Sequence, residues 1–174
     1  MLKFYVFSFL MFFFYCSNAA PKTSKTLRIP KIVKEFNQKY LPIILEEVEG
    51  TGIPEVVAVN QIREETGFCT SKIFKKKFNT AGIKNRKTGD YESYKTFREG
   101  VRGYIKRLKD KRYKKAFKTS NPRKFLEEVI SARYCEKNGK PDWGYVDRVM
   151  NLNKRYPIRE PKIFDYSSLS FRLN

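Results

Sequence analysis

Thr51-Gly-Ile-Pro-Glu-Val-Val-Ala-Val-Asn-Gln-Ile-Arg-Glu-Glu-Thr-Gly-Phe-Cys-Thr-Ser-Lys72, continuing through a basic patch into Phe78-Asn-Thr-Ala-Gly-Ile-Lys84, is the stretch on which the reading of this chain turns. Pro54 suits a first helical turn, where its missing N–H is not needed, and Gly67 suits the position just past a helix end. The spacing predicts a helix over Pro54 to Thr66. At about 100° per residue, Ala58, Ile62 and Glu65 share one side, while Glu64 lies about 100° further round, beside Val57, Asn60 and Gln61. Glu65 is therefore the acid nearest the buried stripe. A carboxyl there loses water on folding, which raises its pKa and holds the proton that a general acid needs. By this pattern alone, Glu64 and Glu65 equally fit two ordinary surface acids at a helix end.

Outward from this stretch the chain reads as helices. Upstream, Ile32, Val33, Phe36, Tyr40, Leu41, Ile44 and Val48 follow a helical stripe that Pro42 should kink or divide near Tyr40. Downstream, Ser71 to Lys77 reads as a short helix with a basic outer face, and Asn85 to Tyr94, with its turn residues and alternating aromatics, as a small hairpin or irregular loop. Phe97, Val101, Tyr104, Ile105 and Leu108 form the next stripe. Asn121-Pro122 caps another helix, with Phe125, Leu126, Val129 and Ile130 inward. A polar loop then leads to a last helix with Trp143, Val146, Val149 and Met150.

With 174 residues the chain has length for one domain with a real core. It carries 37 Lys and Arg against 18 Asp and Glu, so its partners are expected to be polyanions: nucleic acid, anionic lipid or acidic envelope polymers. There is no His, which excludes Ser-His and Cys-His hydrolases and a His-bound zinc site. Acid-base chemistry must rest on carboxylates, Tyr or Lys.

Lys3, an apolar run from Phe4 to Cys16 and the small residues Ser17 to Ala20 make the pattern of a secretory signal peptide over residues 1–19, with cleavage after Ala19 or Ala20. The run is too short for a stable membrane span. Residues 20–30 read as a basic leader, 31–157 as the domain and 158–174 as a polar tail. In an oxidising compartment Cys69 and Cys135 are expected to pair, with two free thiols as the alternative.

Thr51-Gly-Ile-Pro54, Asn60-Gln-Ile-Arg-Glu-Glu-Thr-Gly-Phe68, Ser71, Asn79 and Gly82-Ile-Lys84 resemble, in order and spacing, the glucosaminidase domain of glycoside hydrolase family 73, which includes flagellar muramidases and many autolysins. Tyr134-Cys135 and Tyr145-Val-Asp-Arg-Val149 resemble later elements of the same domain. The resemblance implies a mainly α, α+β lysozyme-like fold: a helical bundle around a catalytic helix, with a small, trimmed β-hairpin lobe. It also implies a peptidoglycan hydrolase, an endo-β-N-acetylglucosaminidase acting on the glycan strand with Glu65 as general acid. Phe68, Asn79 and Tyr134 match positions of the substrate cleft. For the second catalytic group the trimmed lobe offers Asp90 and Glu92, and the substrate's own 2-acetamido group is a third route. The chain departs from the family pattern at Phe68 (usually Trp), at Thr80-Ala81 (usually Asn-aromatic) and at Cys135 (usually Ala). No cofactor or metal is expected, and the protein is expected as an exported monomer held by peptidoglycan and anionic wall polymers rather than by nucleic acid. The alternatives are a wall-binding pseudoenzyme and a lytic transglycosylase on a similar scaffold.

Overall fold

The computed structural model describes residues 29–85 and 87–158. The expected signal peptide 1–19, nearly all of the leader 20–30 and the tail past Ile158 lie outside the described residues. The elements run α1 (Lys31–Lys39), α2 (Leu41–Val48), α3 (Glu55–Thr66), α4 (Lys72–Lys77), α5 (Phe97–Leu108), two short 3-10 turns (Lys111–Tyr113 and Ala116–Lys118), α6 (Pro122–Ser131), a small antiparallel ribbon β1 (Glu136–Lys137) and β2 (Lys140–Pro141), and α7 (Trp143–Arg155). The fold is thus mainly helical with one small two-stranded sheet, and among the described residues no helix is long and apolar enough to cross a membrane.

Helix α3 is the axis, packed against α2, α6 and α7. Pro54 is its N-cap rather than its first helical residue, and Gly67 closes it in the left-handed conformation. The expected single stripe is too narrow a description. Val57, Ala58, Val59 and Ile62 are fully buried, and so are the polar Asn60, Gln61, Arg63 and Thr66. A helix buried nearly all round must satisfy polar groups as well as apolar ones, and α3 does so on two different sides.

The stripes of the first two helices and of α5 and α6 lie as their spacing implies, whereas on α7 Trp143 is 53% exposed and Tyr145 joins Val146 and Val149 inward. Pro42 divides the opening segment into α1 and α2 at Tyr40, with Val33, Phe36, Leu41, Ile44 and Val48 inward. The stripes of α5 and α6 are buried throughout. Helix caps follow side-chain chemistry, since Ser71, Thr96 and Asn121 each accept a backbone N–H of their own first turn.

The segment 85–94 is the expected hairpin-like irregular loop, closed by an antiparallel bridge of Lys84 with Tyr91, and a two-stranded ribbon not foreseen lies at Glu136 to Pro141, in what the sequence presents as a polar loop. Its turn is Asn138-Gly139, both at positive φ, the arrangement a two-residue hairpin requires.

Gly100 sets how the 78–94 loop lies on α5. A Cβ there would stand 2.0 Å from the Phe78 carbonyl oxygen, and the Thr80 hydroxyl donates to the Gly100 carbonyl at 2.8 Å. The loop is thereby pressed onto the helix, and its far end reaches the C-terminal end of α3 at Gly82.

Candidate active site

Glu65 sits in the last turn of α3, partly buried, where three other elements bring tyrosines to it. Gln61, one turn earlier on α3, accepts a hydrogen bond from the Tyr104 hydroxyl of α5 at 2.8 Å and donates to the Tyr145 hydroxyl of α7 at 3.4 Å. Tyr145 in turn donates to Glu65 Oε1 at 2.7 Å. The chain Tyr104, Gln61, Tyr145, Glu65 is directional, so each donor has an acceptor and the carboxyl is held in one orientation. Tyr134, just past α6, completes the ring. Its hydroxyl is buried and makes no hydrogen bond among the described residues.

Burial is the main influence on Glu65 and raises its pKa. The Tyr145 hydrogen bond and Arg148 pull the other way, while Glu64 adds to the rise. Glu64 is itself paired with Arg148 at 2.7 Å, and Arg148 also holds Asp142 at 3.1 Å while lying over the Tyr145 ring. The neighbouring acid is thus neutralised, and desolvation decides the direction for Glu65. Burial first, and the Glu65 charge among the other causes, push Tyr104, Tyr134 and Tyr145 well above the ordinary phenol range. All three remain neutral hydrogen-bond donors.

The second carboxyl oxygen lies against Gly82, a residue of the cleft wall. A Cβ on Gly82 would come within 3.3 Å of Glu65 Oε2, and Gly82 holds φ +60°. Gly82 and Tyr134, with Ala81, Ile83, Lys84, Asn85 and Arg107, wall a chamber of about 330 Å³. A second chamber of about 610 Å³ shares Ile83, Lys84, Asn85 and Arg107 with the first and adds Lys87, Glu92, Tyr94, Gly103, Lys106 and Asp110. The two form one groove, in the size range of ligand clefts.

The sequence-derived site residues divide in this frame. Tyr134 lines the first chamber, and Glu65 stands behind its wall at Gly82. Glu92 lines the second, while Asp90 is exposed and lines neither. Asn79 is buried with its amide engaged inside its own loop: it donates to the carbonyls of Ile83 at 2.7 Å and Glu92 at 2.9 Å and accepts from the Ile83 N–H at 2.9 Å. It shapes the cleft wall and does not line either chamber. Phe68 also lies away from the chambers. Three successive left-handed residues, Gly67, Phe68 and Cys69, swing its ring back over α1, where it meets Phe36 and Tyr156 edge-on.

The expected disulfide is corrected, since Cys69 and Cys135 are both free. The last turn of α3 separates their surroundings. Cys69 is buried beside Thr66 and near Lys39, and burial pushes its thiol up to about 12. Cys135, half-buried, is near Glu65 and Asp142. Among the described residues no three His, Cys, Asp or Glu side chains gather as a metal site.

Tyr145, Tyr104 and Arg107 are the residues that sequence reasoning missed as site members. Gln61 carried one usable signal, its place one helical turn before Glu65. Tyr145 carried only its place in the family-like stretch Tyr145 to Val149, and nothing there tied it to a carboxyl 80 positions away.

Residues 41–157 match the family model described as mannosyl-glycoprotein endo-beta-N-acetylglucosaminidase. No curated protein matches the sequence. Among solved structures, the catalytic domain of the autolysin Auto from Listeria monocytogenes is similar with a TM-score of 0.60 at 15% identity, over 74% of this chain and 86% of that one. The glycoside hydrolase domain of FlgJ from Salmonella typhimurium has a TM-score of 0.56 at 15% identity, covering 71% of this chain and 87% of its own. A peptidoglycan hydrolase mutant from Sphingomonas sp. A1 has a TM-score of 0.54 at 17% identity, covering 70% and 97%.

Proposed function

Because this chain belongs to the mannosyl-glycoprotein endo-beta-N-acetylglucosaminidase family and is therefore a glycoside hydrolase, we propose that it cleaves the glycan strand of bacterial peptidoglycan after N-acetylglucosamine, with Glu65 as general acid. The observation that carries the assignment of the acid is a partly buried carboxyl with one oxygen held by Tyr145 and the other beside Gly82 at the chamber wall. Burial raises the Glu65 pKa and so favours the protonated form a general acid needs, and Oε2 delivers the proton to the leaving glycosidic oxygen. As the bond breaks, positive charge develops on the sugar ring, and the carboxylate left on Glu65 and the neutral Tyr134 hydroxyl lie beside it. Tyr134 is the free donor at this point and positions the substrate through an oxygen of the sugar or of its acetamido group.

Glu92 is the better-placed of the two candidate bases, since it lines the groove and Asp90 does not. In this reading it activates a water on the far face of the sugar, as an inverting enzyme does across a carboxyl separation of about 6.5 to 9.5 Å. Export through residues 1–19 and retention on anionic wall polymers by the basic surface complete the proposal. A secreted mature chain starting at Ala20 or Pro21 is the expected N-terminal sequencing result.

Mass spectrometry of peptidoglycan digested with the purified protein tests the reaction. New reducing ends on N-acetylglucosamine, absent with Glu65→Gln, are expected. Anhydro sugars would make it a transglycosylase, and wall binding without any product would make it a pseudoenzyme.

A further inference from the structure

Arg107 is a groove residue whose chemistry the reaction leaves unused. It projects from the last turn of α5, is half-buried, and forms part of the wall common to both chambers. Its charge is felt at the Tyr134 hydroxyl, so it stands close to the reacting end of the groove. Among the described residues its guanidinium makes no hydrogen bond and no ion pair, in contrast to Arg98, Arg102, Arg112, Arg123 and Arg148, all of which hold carboxylates. The chamber it overlooks carries four cationic side chains, Lys84, Lys87, Lys106 and Arg107, against two acids, Glu92 and Asp110. Neither acid binds Arg107: Asp110 pairs with Arg112, and Glu92 is approached by the Tyr94 hydroxyl at 3.4 Å.

An arginine withdrawn from bulk water and lacking an internal counterion is poised for an external one. Its planar fork matches a carboxylate through two parallel hydrogen bonds. Since Arg107 borders the Glu65 chamber and the second chamber alike, the anion it fits belongs to the molecule being cut, within one or two sugars of the bond. A loose polyanion elsewhere on the basic surface would not need that position. We propose that the second chamber is a subsite for a carboxylate borne on the side group of the glycan strand, with Arg107 as the specificity-determining residue. The inference rests on the glycan-hydrolase reading above. The carboxylate has two sources, the peptide attached to the lactyl ether and the lactyl group itself once that peptide is removed.

The test compares initial rates on solubilised peptidoglycan strands in three forms: native, with all carboxylates converted to amides, and with the peptides removed so that only lactyl carboxylates remain. Wild-type protein is expected to prefer native over amidated strands by about 10- to 100-fold in kcat/KM, the range of one charge-assisted pair. In Arg107→Gln that ratio should fall to about one, and Arg107→Lys should retain part of it. A rate on peptide-free strands that stays with the native form shows that the subsite also takes the lactyl carboxylate freed by removing the peptide, and one that falls with the amidated form confines the subsite to the peptide carboxylates. Equal wild-type rates on native and amidated strands overturn the proposal without any variant. A full ratio surviving in Arg107→Gln also overturns it, because the preference then comes from bulk charge. A wild-type protein that cuts none of the three forms overturns the underlying reading instead, a result distinct from either.

Discussion

Arg63 and Glu65 stand two residues apart on α3, and each brings a charged group into the protein, yet their surroundings are opposite. Arg63 is fully buried with no carboxylate near it. Its Nη1 donates to Asn60 Oδ1 at 2.9 Å and to the Tyr156 carbonyl at 2.8 Å, its Nη2 to Asn37 Oδ1 at 2.9 Å, and its guanidinium lies against the Phe36 and Phe68 rings. Burial draws its pKa down to about 10, far enough above neutrality that it stays charged. Both terminal nitrogens are engaged and fasten α1 and the end of α7 to the axis, while Nε is buried without a partner among the described residues and Arg63 lines neither chamber of the groove. Glu65 has one oxygen engaged by Tyr145 and the other beside Gly82 at a chamber wall, and the nearby Tyr134 hydroxyl is unengaged among the described residues. Burial alone does not mark a functional charge; what marks it is hydrogen-bonding capacity left over beside open space.

The sharpest way to break this comparison is to neutralise each side in turn. Glu65→Gln keeps shape and the Tyr145 contact but removes the proton donor, and glycan cleavage should fall by about 100- to 10,000-fold with thermal unfolding nearly unmoved. Arg63→Ala should do the reverse. It strips buried partners from Asn37, Asn60 and Tyr156 and should cost about 3 kcal/mol or more in urea denaturation, and Arg63→Lys, which keeps charge but not the fork, should recover only part of that. An Arg63→Ala protein of wild-type stability would dissolve the distinction between the two sides.

Smaller effects sharpen it. Gly82→Ala sets a side chain at positive φ and brings its Cβ to 3.3 Å from Glu65 Oε2. It should cost roughly 1 kcal/mol in stability and lower the cleavage rate roughly tenfold by displacing the carboxyl. Tyr145→Phe removes the hydrogen bond that lowers the Glu65 pKa, so the alkaline limb of the rate profile should move to higher pH, with a rate loss of about tenfold or less. The smallest effect is on stability. Folded Glu65 holds its proton more tightly than the unfolded chain does, so its contribution is present below the ordinary carboxyl range and is lost as pH rises through the elevated value. Glu65→Gln should therefore match wild type in acid and gain on it towards neutrality, as read by denaturant midpoints across pH.

Residue spacing carried most of the bundle. The stripes of α5 and α6 are buried in full, and Pro42, Gly67 and Asn121 mark helix ends through backbone geometry that each residue imposes locally. The Asn138-Gly139 turn was equally local and legible, although short strands rich in Lys and Glu concealed it. Phe68 and the two cysteines went differently because three consecutive left-handed residues redirect the chain after α3, and neither side-chain type nor spacing encodes that turn.

What the sequence by itself determined is the helical order and the presence of an acid at the end of the central helix, since both follow from periodicity and end signals within a few turns. Only the tertiary structure decided which oxygen of Glu65 is held and which lies against Gly82, that Tyr145 and not a nearer residue holds it, and that Arg107 lines the groove with no ion pair among the described residues. These depend on side chains tens of positions apart meeting in space, and on polar groups being satisfied or left unsatisfied when water is excluded, which no local pattern records.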